Sequence, residues 1–213
     1  MLYKGNIFVP SLLSIFCDID ILSEKGIKTI NLPAKDISVV SLGPLEEIAS
    51  FDTWTKICSP DFKTSFQILE KLPQCGVDII ELGMPFSDPM ADGPIIQKAN
   101  DRAIKNNMNL KKTFELVKKF RKKNHKTPLI LMGYYNPVHR FGINNFISHI
   151  KKNKINGVII VDLPPEEDSE LCLPMIKNKI HFIKLATPTT DKKRFNKIIK
   201  NSSGFIYFIS ITG

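Results

Sequence analysis

The stretch VDIIELGMPFSDPMADGPIIQKANDRAIKN, residues 77–106, passes from a short apolar run, through a polar loop pinned by prolines, into a helical pattern. Its opening run, VDIIEL (77–82), is apolar almost throughout and carries Glu81 near its end. Such runs read as strands buried on both faces of a parallel sheet. The same texture returns at PLILM (128–132), GVIIVD (157–162), IHFIKLA (180–186) and FIYFISI (205–211). Helical patterns fall at residues 62–72, 95–106, 110–124, 143–152, 165–177 and 191–200. Pro165 suits a first helical turn, and Thr190 or Asp191 suits an N-cap.

Strand and helix alternating this regularly imply right-handed βαβ units. An open doubly wound sheet and a closed (β/α)8 barrel then compete. Glu81, Asp162 and Thr187 each stand at the C-terminal end of a strand, where barrel enzymes place their chemistry. No GxGxxG or GxxxxGK[ST] follows the first strand, which removes support from the nucleotide-binding open sheets. The expected fold class is α/β, a (β/α)8 barrel. The first residues fit the rhythm poorly. DISVVSL (36–42) reads as a possible strand, and DTWTKICS (52–59) as a weak first barrel strand. Residues 1–52 are therefore set apart as a segment of unclear structure, and residues 53–213 as a partial barrel domain.

Composition narrows the function classes. Net charge is +9, and much of it lies in KKTFELVKKFRKKNHK, residues 111–126. Leu110, Phe114, Val117 and Phe120 form one apolar stripe through that run, so the lysines belong to a solvated helix face. No interleaved aromatics accompany them, and no nucleic-acid partner is expected. No apolar run is long enough to cross a bilayer, and no membrane partner is expected. IFVPSLLSIFC (7–17) has the length of a signal-peptide core, but Pro10 interrupts it, Asp18 and Asp20 follow, and no cleavage site appears. The four cysteines, Cys17, Cys58, Cys75 and Cys172, form no CxxC, and the four histidines form no paired ligand pattern. A cytoplasmic protein without a metal site is the expectation.

The loop 81–94, ELGMPFSDPMADGP, holds Ser87, Asp88 and Asp92 before the next helix. Read as residues alone, Asp92 is a helix cap and Glu81 a strand-end charge. The full string resembles the signature of the tryptophan synthase α subunit. The resemblance runs from about Pro60 to Gly213. It includes LMGYYNP (131–137), IIVDLPPEE (159–167), LATPTTD (185–191) and SSGFIYFIS (202–210).

The resemblance implies a TIM barrel and a lyase that cleaves indole-3-glycerol phosphate to indole and glyceraldehyde 3-phosphate. It implies Glu81 and Asp92 as the catalytic pair, and Tyr134, Ile159 and Tyr207 around the substrate. Asp88, Pro89, Asn136 and Pro164 match the surface that meets the β subunit in an α2β2 tetramer. The α chain needs no cofactor; pyridoxal phosphate belongs to the β partner. The match ends just after the sixth strand, so strands seven and eight, and the loops that hold the substrate phosphate, are expected to be missing. Strand six is then expected to present an open edge. A chain that keeps the β contact without turnover is the alternative. A related indole-glycerol-phosphate synthase would need a strand-end lysine; Lys184 is the candidate, and nothing else in the pattern supports it.

Overall fold

A computed structural model of the chain describes residues 6–8, 62–75, 77 and 79–209. The expected strands at 36–42 and 52–59, and residues 9–17 of the early apolar run, lie outside the described residues. The described elements, in chain order, begin with β1 (Asn6–Phe8) and α1 (Phe62–Lys71). Then come β2 (Ile80–Gly83), α2 (Pro94–Lys105) and α3 (Leu110–Arg121). β3 (Leu129–Gly133), α4 (Tyr135–Phe141), α5 (Ile143–Lys152) and β4 (Gly157–Ile160) follow. The last are α6 (Ser169–Lys177), β5 (His181–Ala186), α7 (Lys192–Lys200) and β6 (Phe205–Phe208).

The strands form one sheet in the order β1-β6-β5-β4-β3-β2, and each pairing is parallel. The open edge expected on strand six is therefore a correction: Asn6 to Phe8 run along Phe205 to Tyr207. The N–H and C=O groups of an edge strand are a ready template, and here a segment of the same chain occupies it.

Alternation along the strands sorts their side chains onto two faces. Ile80, Leu82, Leu129, Leu131, Val158, Ile160 and Phe182 face outward and join helix residues such as Phe114, Val117, Phe120, Phe146 and Met175 in one core. The basic run behaves as its stripe predicts: Leu110, Phe114, Val117 and Phe120 are buried. Each such burial contributes about 1.5–3 kcal/mol. The other face is different. Ile130, Ile159, Ile183, Phe205 and Tyr207 pack on one another, with Ile79, Met132, Val161, Leu185 and Ile209 beside them, and among the described residues no helix residue joins them. A doubly wound sheet covers that face with helices. A barrel fills it with inward side chains from successive strands, as here.

Three helices stop in the same way. Asn106, Asn153 and Asn178 are the C-caps of α2, α5 and α6. The next residues, Asn107, Lys154 and Lys179, have φ of 61°, 52° and 59°. Met108, Ile155 and Ile180 then return their N–H groups to Ala103, Ile150 and Met175, and all three are buried. This is the Schellman closure. Gly133 is required for a different reason. A Cβ there would lie 2.9 Å from Met84 Cβ, so the end of β3 approaches the β2 loop as only glycine allows.

Two helix boundaries differ from expectation. Pro165 lies in a turn, and α6 begins only at Ser169. The backbone of 165–168 is taken up by turns, with Glu167 N–H bonded to Pro164 O. Helix α4 lies outside the helical patterns read from the sequence; at its third position Pro137 lacks only an N–H that has no helical partner there.

Candidate active site

Glu81 is the second residue of β2 and is 2% exposed. Ile80 and Leu82 belong to the outer core and Ile79 to the inner cluster. Alternation therefore puts Glu81 on the inner face, the face that carries Ile159 and Tyr207. After Gly83, Met84 N–H still bonds to Met132 O at 2.8 Å. The chain then leaves the sheet at the buried Pro85.

The loop that follows is held by its own hydrogen bonds. Phe86 N–H donates to Asn100 Oδ1 on α2 at 3.2 Å. Asp92 N–H donates to Pro89 O at 3.0 Å, which closes a tight turn. Gly93, and not Asp92, is the N-cap of α2, and no side chain caps that end. Asp92 is thus released from the helix-cap role that the sequence alone allows. Its carboxylate accepts a hydrogen bond from the Tyr134 hydroxyl.

Tyr134 stands just past β3 and is 3% exposed. Its oxygen accepts the Ala91 N–H at 3.0 Å. Its ring lies 5.4 Å from that of Phe86. One phenol therefore fixes both the backbone and the carboxylate of the loop. Burial raises the Asp92 pKa from its ordinary value, and the Tyr134 hydrogen bond opposes that rise. The Tyr134 hydroxyl is pushed well above its ordinary value, first by burial and then by the Asp92 charge.

Ile159 and Tyr207 meet in the inner cluster. Tyr134 joins the site through Asp92 and not through that cluster. Asp88, Asn136 and Pro164 are exposed, whereas Pro89 is buried. The Ser87 hydroxyl turns to the Asp88 carboxylate.

Other strand-end polar residues prove to organise turns. Asp162 Oδ1 accepts the Tyr135 N–H at 2.8 Å, capping the start of α4 from the neighbouring loop. Thr187 N–H donates to Thr190 Oγ1 at 2.9 Å. Asp191, one of the two expected caps, accepts the Arg194 N–H at 2.7 Å. Lys184 alternates with the inward Ile183 and Leu185 and so faces the helix layer, where it contacts Asp168. Among the described residues no cluster of three or more His, Cys, Asp or Glu side chains is arranged to hold a metal. No described helix is long and apolar enough to cross a membrane.

The Tyr134–Asp92 link is the part of the site that sequence reading missed. LMGYYNP places Tyr134 at a strand end, but nothing local says that its hydroxyl reaches across 43 positions to Ala91. The arrangement offers two carboxyl groups in unlike surroundings: one buried on the inner face, one at the mouth under a phenol.

A family model for the tryptophan synthase alpha chain matches residues 45–213. The match starts upstream of Pro60, so the resemblance extends into the weak early stretch. The subunit alpha of tryptophan synthase from Legionella pneumophila str. Paris is 38% identical, with a TM-score of 0.67; the match covers 70% of this chain and 56% of that one. The tryptophan synthase a2b2 complex of Pyrococcus furiosus gives 38% identity and a TM-score of 0.68, over 72% of this chain and 62% of that one. A protein of Aquifex aeolicus VF5 gives 40% and 0.68, over 72% and 60%. The chain thus spans roughly three-fifths of the length of these relatives and shares their TIM-barrel fold over that span. By sequence and by fold, it belongs to the tryptophan synthase alpha chain family.

Proposed function

We propose that this chain is the lyase subunit that splits indole-3-glycerol phosphate into indole and glyceraldehyde 3-phosphate, in L-tryptophan biosynthesis. The observations that carry the reading are a buried carboxyl on the apolar inner face, Glu81, and a second carboxyl, Asp92, held by Tyr134 in the loop that leaves the same strand.

The indole ring leaves only when C3 is protonated. Glu81 gives that proton and takes one from the glycerol hydroxyl as the C–C bond breaks, so protons balance over the step. Protonating C3 places positive charge on the indole nitrogen. Asp92, as carboxylate, accepts the N1–H hydrogen bond and stabilises that charge. Ile159 and Tyr207 supply apolar wall from the inner cluster, and the Tyr134 ring adds a third side. No cofactor is needed for this step. Indole then passes to a β subunit that uses pyridoxal phosphate, which meets this chain through the exposed Asp88, Asn136 and Pro164 and the adjoining Pro89. A cytoplasmic setting accords with that chemistry.

A second reading keeps the β contact without turnover. It is favoured by the share of its relatives' length that the chain spans, because distant substrate groups often supply the binding energy that drives catalysis. The test is indole release from indole-3-glycerol phosphate by the purified chain, alone and with a β subunit. The catalytic reading expects release that falls at least about 100-fold in Glu81→Gln and in Asp92→Asn. No release by the folded chain in either condition, with β-subunit binding retained, selects the second reading.

A further inference from the structure

Asn100 lies in the interior of α2 and is 6% exposed. It shares the buried face of that helix with Ile96, Ala99 and Ala103. Asparagine is a weaker helix former than alanine or leucine, and a buried amide must find partners. Nδ2 donates to Ile96 O at 3.2 Å, a bond that stays within the helix. Oδ1 reaches out of it. It accepts the Phe86 N–H at 3.2 Å, 14 positions away, at the start of the loop that carries Asp92. The two bonds fix the amide. Turned over, it would set donor against donor at Phe86 and acceptor against acceptor at Ile96.

On the same face of α2, three positions earlier, Gln97 Nε2 donates to Asp92 O at 2.9 Å. The helix therefore holds the loop at both ends. The Gln97 hold is exposed and competes with water; the Asn100 hold comes from a buried side chain.

The Phe86 end also reaches the Asp92 carboxylate. The Phe86 ring lies 5.4 Å from the Tyr134 ring, tilted by 37°. The Tyr134 oxygen accepts the Ala91 N–H, and its hydroxyl donates to Asp92. A movement of Phe86 is thus passed to the phenol and to the carboxylate it holds.

From these contacts we infer that Asn100 is a positioning residue for the proposed reaction: it fixes Phe86, and through the Phe86 and Tyr134 rings it sets where the Asp92 carboxylate stands. The inference rests on the reading of Asp92 as the carboxylate that meets the indole N1–H. Placement matters there, because a misplacement of about 1 Å can cost about 100-fold in rate.

The test compares Asn100→Leu, Tyr134→Phe and the double variant with the unaltered chain. Asn100→Ala, which cannot crowd its neighbours, is the second Asn100 variant. Unchanged Ile147 methyl signals report that the fold is kept. The first readout is the Asp92 carboxyl carbon signal. Both Asn100 variants are expected to move it in the direction that Tyr134→Phe moves it, and Asn100→Leu is expected to move it no further once the hydroxyl is gone. A merely structural role would give additive shifts. The second readout is turnover. In the Asn100 variants kcat for indole release is expected to fall at least about 10-fold with KM little changed, because the charge that Asp92 stabilises develops only as C3 is protonated. The third needs no variant: the Phe86 amide of the unaltered chain is expected to resist exchange with solvent. An Asp92 signal that stays in place in the folded Asn100 variants, one that moves equally with and without the Tyr134 hydroxyl, a kcat that is kept in an active chain, or an unprotected Phe86 amide would overturn the inference. A shifted Asp92 signal in a chain that releases no indole upholds the positioning by Asn100 and overturns the catalytic reading alone.

Discussion

At the N-terminal edge of the sheet, Arg121 is 6% exposed and its guanidinium makes four hydrogen bonds. Its guanidinium donates to the carbonyls of Lys154, Asn124 and Thr127 and to Asn156 Oδ1, the shortest at 2.7 Å. Asn156 in turn accepts the Leu129 N–H at 2.9 Å, so the entries of β3 and β4 are tied to one cation. At the C-terminal edge Asp92 is held through one phenol, and burial leaves its carboxylate less favourable than in water. One edge spreads its charge over four hydrogen bonds and gains rigidity. The other holds its charge through a single phenol. Barrels divide labour between their two faces in this way: the bottom stabilises and the top reacts.

The sharpest way to break this contrast is Arg121→Leu. It strands three carbonyls near the sheet entry. Urea unfolding should show a loss of about 3 kcal/mol or more. Arg121→Lys should not restore it, because a point-like ammonium cannot span the planar fork. A loss below about 1 kcal/mol would mean that the lower edge is not held by this web.

Tyr134→Phe probes the upper edge. Removing the hydroxyl leaves the Ala91 N–H and the Asp92 carboxylate without it, at a cost of about 1 kcal/mol at neutral pH. The hydrogen bond lowers the Asp92 pKa, so its loss should raise that pKa further. The sign follows from linkage. A carboxyl whose folded pKa is raised contributes its full stability below the unfolded value and loses it as pH rises through the folded value. Tyr134→Phe should therefore sit closest to the parent chain at acid pH and fall behind as pH rises through the Asp92 titration. Unfolding midpoints across that range, with the Asp92 carboxyl followed by carbon NMR, test both points. An Asp92 pKa that does not rise in the variant would refute the link.

The smallest effect is expected at the exposed Glu166. Hydrogen bonds from Arg194 and Lys197 hold its carboxyl down to about 2. Solvent screens such a pair, so Glu166→Gln should leave the unfolding midpoint unchanged within error. A clear loss of stability would mean that the loop between β4 and α6 depends on its rim charges.

The legibility of these features follows the range of the interactions behind them. The strand runs and the α3 stripe could be read because burial acts on period and composition within a few residues, and VDIIEL or Leu110 to Phe120 carry that signal locally. Glu81 and Asp92 were legible as a candidate pair because ELGMPFSDPMADGP is long and distinctive. Helix α4 was not, since Pro137 reads as a breaker unless its place in the first turn is known. The strand at Asn6–Phe8 could not be paired with β6 from sequence, because a parallel partner is set by distant backbone groups.

Sequence alone was enough to establish the alternation of strand and helix, the strand-end carboxylate of β2 and the family. These rest on side-chain type and spacing. The tertiary structure decided that Asp92 serves Tyr134 and not a helix end, that Lys184 turns outward to Asp168, and that Arg121 ties two strand entries. Each depends on groups tens of positions away, brought together only when the sheet closes over its inner face, where burial makes an unpaired charge costly.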